Sequence, residues 1–316
     1  MGLMRRSLLA ISRSASLRLR APRYPFVRRT VSRFMPGERA EDAIAAARTL
    51  AAAGLRVALT HLGENVTERA EAQAITEQYL RVFEELRAAA LSADISLKLT
   101  QLGLDIDPEF CSANLAHLLD AAPADNTVWL DMEQSPYVDS TLEIFRRART
   151  DLQANRNRPQ KVGACIQAYL YRSEPDIAAL IASGATVRLV KGAYNEPSEI
   201  AFPRKADVDE TYFYLAQMLL GANARAAGVR AVFATHDRTL IARIAAWAAS
   251  QGIPNGQIEF QMLFGIQRAE QLRLAQAGYR SGVLIAYGSF WFPWFMRRLA
   301  ERPANVLFLA RNFFAR

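Results

Sequence analysis

Eight short β-prone runs alternate with Ala-rich helical segments along this chain, and this alternation constrains the fold more than any other feature. Strands that alternate with helices form a parallel sheet, because each helix returns the chain to the start of the next strand. The runs are apolar at most positions, which suits strands buried on both faces. The predicted strands are Arg56–Thr60, Ile95–Leu99, Thr127–Asp131, Val162–Ala168, Thr186–Val190, Ala231–Thr235, Ile258–Met262 and Val283–Ala286.

The segments between these runs have the apolar spacing of amphipathic helices. A glycine closes several of them, as expected where a helix ends and the chain turns into the next strand. These glycines are Gly54, Gly184, Gly228, Gly252 and Gly278, and the predicted helices include Arg69–Ala90, Ser140–Asn155, Asp176–Ser183, Glu210–Ala227, Thr239–Ser250 and Arg268–Ala277.

A closed (β/α)8 barrel and an open doubly wound sheet both satisfy this order of elements. The turn after the first strand, His61-Leu62-Gly63-Glu64-Asn65, lacks the GxGxxG fingerprint of dinucleotide-binding open sheets. A barrel builds its active site from many strand ends, whereas an open sheet uses one crevice. We predict the barrel because polar residues mark seven strand ends: Lys98, Asp131, Gln167, Arg188 with Lys191, Thr235 with His236, Glu259 with Gln261, and Tyr287.

The first 37 residues form a basic arm that differs from the rest of the chain. They contain nine arginines and no acidic residue, and the first carboxylate is Glu38. We therefore divide the chain into an arm, residues 1–37, and a barrel domain, residues 38–316. A transit peptide, a helix on anionic lipid and a solvated basic helix all explain the arm. Nucleic acid is disfavoured, because no basic stripe with interleaved aromatics follows the arm.

Two further features concern the compartment. The chain has two cysteines, Cys111 and Cys165, too few for a disulfide scaffold and without metal-ligand spacing, so a reducing compartment is expected. No run reaches the ~18 apolar residues of a membrane-spanning helix. Any contact with a membrane is therefore expected to be peripheral.

The segment Arg188-Leu189-Val190-Lys191-Gly192-Ala193-Tyr194 has the strongest functional pattern. Arg188 and Val190 share one face of the predicted strand, and Gly192 allows the backbone to approach a ligand closely. Cations beside a glycine turn suit a phosphate or a delocalised anion. The alternative is a strand that ends in a solvated Lys-Gly turn.

Thr235-His236-Asp237 ends the sixth predicted strand. His236 suits a general base, a metal ligand or a hydrogen-bond donor to a cofactor. Only His61 and His117 occur elsewhere, so a site with several histidines is disfavoured and donation to a cofactor is preferred.

An aromatic run near the C-terminus continues into a helix that carries Arg297 and Arg298. Guanidinium groups bind carboxylates bidentately, so this pair suits an anionic substrate. Adjacent helical residues point about 100° apart, so both arginines must lean over a single anion to share it. The alternative is a surface pair with Glu301 as an ion partner.

Taken together, these motifs resemble those of the monofunctional, flavin-dependent proline dehydrogenases. The resemblance runs from about Arg33 to Phe313. The motifs that carry it are Ser96-Leu97-Lys98-Leu99, Asp131-Met132-Glu133, Gln167-Ala168-Tyr169-Leu170, Arg188 to Tyr194, Ala234-Thr235-His236-Asp237, Glu259-Phe260-Gln261-Met262-Leu263 and Arg297-Arg298-Leu299-Ala300-Glu301-Arg302-Pro303.

The resemblance implies a distorted (β/α)8 barrel that binds FAD, with the last helix over the carboxyl ends of the strands. It implies oxidation of L-proline to Δ1-pyrroline-5-carboxylate, with membrane quinone as the electron acceptor. Lys98, Arg297 and Arg298 would bind the substrate carboxylate, Asp131 would hold Lys98 or orient the ring, and Arg188 would lie near the reactive nitrogen of the flavin. The residues implied to line the flavin are Met132, Gln167, Val190, Lys191, Gly192, Ala193, Thr235, His236, Gln261, Leu263 and Glu301.

One position departs from the family pattern. Where the family usually has Tyr-Val-Pro-Tyr-Gly, this chain has Leu284-Ile285-Ala286-Tyr287-Gly288, so Leu284 replaces the tyrosine that packs on the proline ring. Leucine keeps an apolar wall but lacks the hydroxyl and leaves spare volume. We therefore hypothesise that proline binds more weakly, or that a bulkier or hydroxylated ring is accepted.

Two other functions stay open at this point. A barrel enzyme could bind a phosphorylated substrate at Lys191-Gly192, and a non-catalytic barrel could bind a flavin or an amino acid as a sensor. The resemblance favours an arm that is retained, as in bacterial members. It implies a cytoplasmic protein at the inner face of a bacterial membrane, or at the mitochondrial inner membrane if the source is eukaryotic.

Overall fold

The protein is described by a computed structural model that covers residues 31–156 and 161–301, with the backbone alone at 155, 156 and 297–301. Within these ranges, parallel strands pair in chain order and β1 pairs with β8, which closes a barrel. The strands are β1 (Arg56–His61), β2 (Asp94–Leu97), β3 (Val128–Leu130), β4 (Val162–Gln167), β5 (Thr186–Val190), β6 (Ala231–Ala234), β7 (Glu259–Leu263) and β8 (Arg280–Tyr287).

Helices alternate with these strands and surround the barrel. Their starts follow from local chemistry: Asp107 caps one helix by accepting a hydrogen bond from Glu109 N at 3.0 Å, and Pro108 takes its first position. The helices are α1 (Ala40–Ala52), α2 (Arg69–Ala88), α3 (Pro108–Ala121), α4 (Val138–Arg156), α5 (Ser173–Ala182), α6 (Lys205–Leu220), α7 (Ala222–Ala226), α8 (Arg238–Ser250), α9 (Arg268–Gln276) and α10 (Trp291–Glu301).

The predicted barrel is confirmed, including its order of strands. The five glycines expected after helices have positive φ, from +65° at Gly184 to +83° at Gly278, so each adopts the left-handed conformation that ends a helix. The second strand is shorter than predicted, because Leu99–Gln101 form a 3-10 turn. Helices α1 and α3 were not among the predicted helices.

The floor of the barrel is an ion cluster, which corrects the prediction that Glu259 stands at a strand end beside the active site. Glu259 is the first residue of β7, and it accepts a hydrogen bond from Arg230 at 2.8 Å. Arg230 also donates to Asp94 at 3.1 Å and lies 5.4 Å from the ring of Trp129. Glu259 therefore stabilises the amino-terminal end of the barrel, opposite the expected active site.

Tyr287 also differs from its expected place. Because side chains alternate along a strand, Tyr287 faces the surrounding helices, while Leu284 and Ala286 face the barrel interior. The Tyr287 ring is buried and lies 5.3 Å from the ring of His61. Tyr287 thus packs between the barrel and its helices.

The last helix, α10, covers part of the open end of the barrel. A separate apolar cluster joins its aromatic face to Leu62 and Ala286 at the carboxyl ends of β1 and β8. Val31 and Met35, just before the barrel domain, belong to the same cluster, and the Trp291 indole donates to Glu38 at 2.9 Å. This position confirms the expected placement of the last helix over the strand ends.

Residues 1–30 of the predicted basic arm lie outside the described ranges. No helix in the described part of the chain is long and apolar enough to cross a membrane.

Candidate active site

Arg188 is the central charge of the barrel interior. It lies in the middle of β5, and its side chain is 2% exposed. Its guanidinium donates to Ser96 Oγ at 2.5 Å, to Gln261 Oε1 at 3.0 Å and to Asp131 Oδ1. The guanidinium also lies 4.9 Å from the centre of the Trp129 ring. Burial lowers the pKa of Arg188, but Cys165 and Asp131 raise it and the net direction is upward, so Arg188 is a fixed cation.

Cys165 and Ser96 complete the contacts around the Arg188–Asp131 ion pair. The Arg188 Nε–H donates to Cys165 Sγ at 2.9 Å, and the Cys165 thiol lies 3.4 Å from Asp131 Oδ1. Burial raises the pKa of the Cys165 thiol to about 12, so it is neutral and can donate to the carboxylate. The Ser96 hydroxyl donates to the same oxygen at 2.8 Å. Asp131 is thereby fixed in one orientation below the barrel mouth.

Lys98 stands beside Asp131 in strand order, directly after β2. Its backbone N–H donates to Gln101 Oε1 at 3.0 Å, and the Gln101 amide donates to the carbonyl of His61 at 2.9 Å. The Lys98 side chain is half-buried. Its charge reaches His61, whose pKa is lowered to about 4 by burial and then by Lys98. The imidazole of His61 is therefore neutral at physiological pH.

Glu133 is an acidic group that interacts with the charge of Lys98. Its buried carboxylate accepts a hydrogen bond from the Thr100 hydroxyl at 2.7 Å and one from the Thr100 backbone N–H at 3.2 Å. Burial raises the pKa of Glu133 to about 7, while Lys98 and the Thr100 hydrogen bonds oppose the rise. Its backbone carbonyl accepts from Gln167 at 2.8 Å.

Lys191 is paired with carboxylates. Its ammonium lies 2.5 Å from Asp209 and 2.9 Å from Asp237, and Lys205 contacts the same two carboxylates. The pKa of Asp237 falls to about 2 because Lys191 and Lys205 outweigh the opposing effect of burial. Two cations and two carboxylates thus form one neutral cluster at the outer rim.

Gly192 has the backbone freedom that the sequence suggested. Its φ is +116°, and an added Cβ would stand 2.3 Å from Cδ1 of Tyr169. The tyrosine ring therefore packs directly on the glycine backbone. Any side chain at this position would displace that ring and strain the turn after β5.

His236 has a defined hydrogen-bond direction. Its Nε2 accepts from the backbone N–H of Leu263 at 3.0 Å, so the proton of the neutral ring belongs on Nδ1. Any donation to a ligand must come from Nδ1. Thr235, one residue earlier, is buried, and its hydroxyl accepts from Asp237 N at 3.2 Å.

Apolar residues line the mouth above Arg188. Val190 and Leu263 end the inward-facing rows of β5 and β7, and Leu284 lies one inward position before Ala286 on β8. All three are only half-buried, whereas apolar residues deeper in the barrel are fully buried. An inward apolar side chain that stays half-exposed marks an open cavity. A flat ring system above a fixed cation fits this mouth, and the residues present are thus compatible with a flavin.

The other predicted residues fall around the same mouth or outside the described side chains. Met132 and Gln167 are buried after β3 and at the end of β4, Gln261 is buried in β7, and Ala193 is half-buried after β5. Arg297, Arg298 and Glu301 lie on α10, but their side chains are outside the described residues.

Four residues that the sequence analysis did not assign to the site are part of its framework: Ser96, Cys165, Glu133 and Trp129. Ser96 and Cys165 each stand two residues before a predicted site residue, so strand alternation places them on the same inward face. That spacing was a usable signal for both. Trp129 has the same spacing to Asp131, but its residue type does not distinguish it from an ordinary core tryptophan.

Comparison with known proteins agrees with this geometry. The family model described as proline dehydrogenase matches residues 43–311. Proline dehydrogenase 1 of Bacillus subtilis is 36% identical over 312 residues, which cover 98% of this chain and 99% of that protein. Proline dehydrogenase of Deinococcus radiodurans is 36% identical over 284 residues, which cover 89% of this chain and 88% of that protein.

A solved structure also matches the barrel. The crystal structure of proline utilization A from Bdellovibrio bacteriovorus, inactivated by N-propargylglycine, matches with a TM-score of 0.78 at 26% identity. The match covers 92% of this chain and 34% of that chain, so this protein spans about a third of that larger one. The chain belongs to the proline dehydrogenase family, as its motifs, its barrel and its full-length relatives all indicate, and the enzyme class expected from the sequence is confirmed.

Proposed function

We propose that this protein oxidises L-proline to Δ1-pyrroline-5-carboxylate with FAD as its cofactor. The observation that carries the proposal is Arg188, a buried cation held by Ser96, Asp131 and Gln261 below a half-exposed apolar mouth. A fixed charge in this position suits a flat cofactor that becomes more negative during the reaction. Bound FAD would accept the electrons, since no side chain can accept a pair of electrons from an amine.

The residues around the mouth would hold the cofactor in two ways. Val190, Leu263 and Met132 supply apolar contact, and Gly192 leaves room for close approach of the backbone. Arg188 and His236 supply donors, the latter from Nδ1. The further residues proposed to contact FAD are Gln167, Lys191, Ala193, Thr235, Gln261 and Glu301.

Lys98, Arg297 and Arg298 would bind the proline carboxylate. Three cations on one carboxylate fix the orientation of the ring, and orientation supplies much of the rate in a reaction between two bound groups. The same cations lower the pKa of the substrate amine by like-charge repulsion. They therefore favour the neutral amine, which is the form that can be oxidised. Asp131, fixed by Ser96 and Arg188, would orient the ring or Lys98.

Quinone as electron acceptor, peripheral contact with a membrane and a cytoplasmic location at the inner membrane are further parts of the proposal. A mitochondrial inner-membrane location would replace the last if the source is eukaryotic. The Arg-rich arm supports membrane contact, because basic segments bind anionic lipid. Co-sedimentation with anionic liposomes, with and without residues 1–37, tests this part.

A second substrate class is proposed from Leu284. This residue faces the interior of the barrel from β8, and it is half-exposed where the family pattern has a tyrosine. The spare volume favours trans-4-hydroxy-L-proline or a bulkier ring. We expect Leu284→Tyr to raise the ratio of kcat/KM for L-proline over that for hydroxyproline. An unchanged ratio rejects this idea.

Two rival functions predict different results. A barrel that binds a phosphorylated substrate at Lys191 has weaker support, because that ammonium is neutralised by Asp209 and Asp237. A sensor that binds but does not react predicts no product. The test is to extract the cofactor and identify it by chromatography, then to incubate the enzyme with L-proline and a soluble quinone. We expect FAD, reduced quinone and a product two hydrogen atoms lighter than proline. Extracted FMN, or no product, contradicts the proposal.

A further inference from the structure

A chain of hydrogen bonds joins the loops that follow β1, β2 and β3, and Glu133 is its anchor. Glu133 holds Thr100 by both the hydroxyl, at 2.7 Å, and the backbone N–H, at 3.2 Å. Thr100 Oγ1 in turn accepts from the backbone N–H of Asn65 at 3.0 Å, and the Thr100 carbonyl accepts from Val66 N at 3.1 Å. One buried carboxylate therefore fixes two neighbouring loops.

Thr100 belongs to the 3-10 turn Leu99–Gln101, which directly follows Lys98. The turn is fixed at its other end by the Gln101 side chain, whose Oε1 accepts from Lys98 N at 3.0 Å and lies 3.4 Å from the Tyr79 hydroxyl. The backbone of Lys98 is thus bound by the very turn that Glu133 holds. The Lys98 charge also acts on the Glu133 carboxylate.

The cost of this arrangement points to a role beyond stability. A carboxylate at 3% exposure is destabilising unless its neighbours compensate for lost hydration. Within residues 31–154 and 161–296 no arginine pairs with this carboxylate, and Thr100 supplies its hydrogen bonds. A glutamine of the same shape would keep one acceptor oxygen without a charge.

We propose that Glu133 is a positioning residue that acts through Thr100 to place Lys98 for the substrate carboxylate. This inference rests on the role proposed above for Lys98. Glu133 would act through Thr100 and not by contact with the substrate. Its effect is on recognition of the negative charge, and it should not alter recognition of the ring.

The experiment measures charge recognition directly. In the flavin-loaded, full-length enzyme, the probes are KM for L-proline and the inhibition constants of cyclopentanecarboxylate and its neutral analogue cyclopentanecarboxamide. Glu133→Gln and Thr100→Val remove the charge and the hydroxyl, respectively. Thr100→Ser keeps the hydroxyl, Lys98→Met removes the proposed ligand, and Glu84→Gln changes an exposed acid elsewhere.

We expect Glu133→Gln and Thr100→Val to raise KM for L-proline and the inhibition constant of cyclopentanecarboxylate about tenfold. This is the effect of one weakened charge-assisted hydrogen bond. Inhibition by the neutral amide and kcat should change less than about twofold, well below that cost. Thr100→Ser and Glu84→Gln should behave as wild type. A general structural defect would instead weaken both inhibitors together, and that result overturns the proposal.

Failure of the positioning role of Glu133 and failure of the carboxylate-binding role of Lys98 give different results. If Lys98→Met weakens the carboxylate alone but Glu133→Gln and Thr100→Val do not, Glu133 has no positioning role and Lys98 keeps its own. If Lys98→Met leaves carboxylate inhibition unchanged, the proposed role of Lys98 fails and the inference fails with it. If Thr100→Val does not fold, the result for Glu133→Gln is decisive, because that variant removes a destabilising buried charge and should therefore fold.

Discussion

Replacement of Asp131 by alanine should reveal how strongly the barrel depends on its central ion pair. Arg188 is 2% exposed and Asp131 is 24% exposed, so this pair is largely shielded from water. Asp131→Ala leaves the guanidinium buried without a counter-charge, which costs about 3–5 kcal/mol of unfolding free energy in comparable cases. Ser96, Gln261 and Cys165 still contact Arg188, so we expect the lower end, about 3 kcal/mol.

The measurement is urea unfolding followed by far-UV circular dichroism, with and without added FAD. Glu210→Ala is the matched control: Glu210 binds Arg243 bidentately at 2.7 and 2.8 Å but is 67% exposed, so its loss should cost less than about 1 kcal/mol. The double variant Arg188→Met/Asp131→Ala should recover stability, because it removes both charges. Equal costs for Asp131→Ala and Glu210→Ala would show that burial gives the Arg188–Asp131 pair no greater effect on stability than an exposed pair.

Three further changes test other parts of the structure. The pKa of Glu133 is raised from 4.5 to about 7, so between these pH values the unfolded chain releases a proton that the folded protein keeps. The unfolding free energy should therefore fall by about 3 kcal/mol as the pH rises through this window. Urea titrations at several pH values measure this fall, and Glu133→Gln should abolish it. His61 acts in the opposite direction, because its pKa is lowered from 6.5 to about 4. Its contribution to the unfolding free energy is present above pH 6.5 and is lost as the pH falls, so His61→Asn should flatten the acid side of the same titration, and an unchanged acid side would contradict the lowered pKa. Gly192→Ala should lower Tm far more than Gly228→Ala. Both glycines have positive φ, but the Tyr169 ring occupies the position of the added methyl group at Gly192, whereas that position is open at Gly228. Equal shifts in Tm would mean that Tyr169 moves freely.

The sequence was sufficient to predict the barrel, because its information is local. Each strand and helix has its own apolar period, and the glycines that end helices, such as Gly184 and Gly228, adopt the left-handed conformation that local chemistry requires. Most strand bounds differ from the prediction by one or two residues, and β8, which begins three residues early at Arg280, differs most. The same alternation of strands and helices predicts which strand end, and therefore which loop, lies beside each polar residue.

The contacts inside the barrel depend on distant strands, so local patterns did not predict them. Arg188 contacts Ser96, 92 positions away, and no periodicity specifies that partner. Glu259 was assigned to the mouth because it stands near Gln261, but it is the first residue of β7 and belongs to the floor. Tyr287 is the last residue of β8, but strand alternation turns its side chain toward the helices. A residue's depth along the barrel axis depends on strand register, which the sequence pattern leaves open.

The charge cluster at Lys191 illustrates the same limit. Residue type and position predicted a cation beside a glycine turn, and both are present. The carboxylates of Asp209 and Asp237 come from α6 and from the loop before α8, and only the folded chain brings them to the ammonium. The anion-binding role proposed for this lysine must therefore compete with two existing partners.

Flavin-dependent oxidation of proline is tested most simply by one visible absorption spectrum of the purified protein, recorded anaerobically before and after addition of L-proline. A flavoenzyme that oxidises proline should be yellow, and its visible band should bleach on addition of proline but not of cyclopentanecarboxylate. Arg188→Met should retain a folded barrel but bleach more slowly, because the fixed cation below the cofactor is gone. A colourless protein after incubation with FAD, or a yellow protein whose band proline leaves unchanged, would contradict flavin-dependent proline oxidation by this protein.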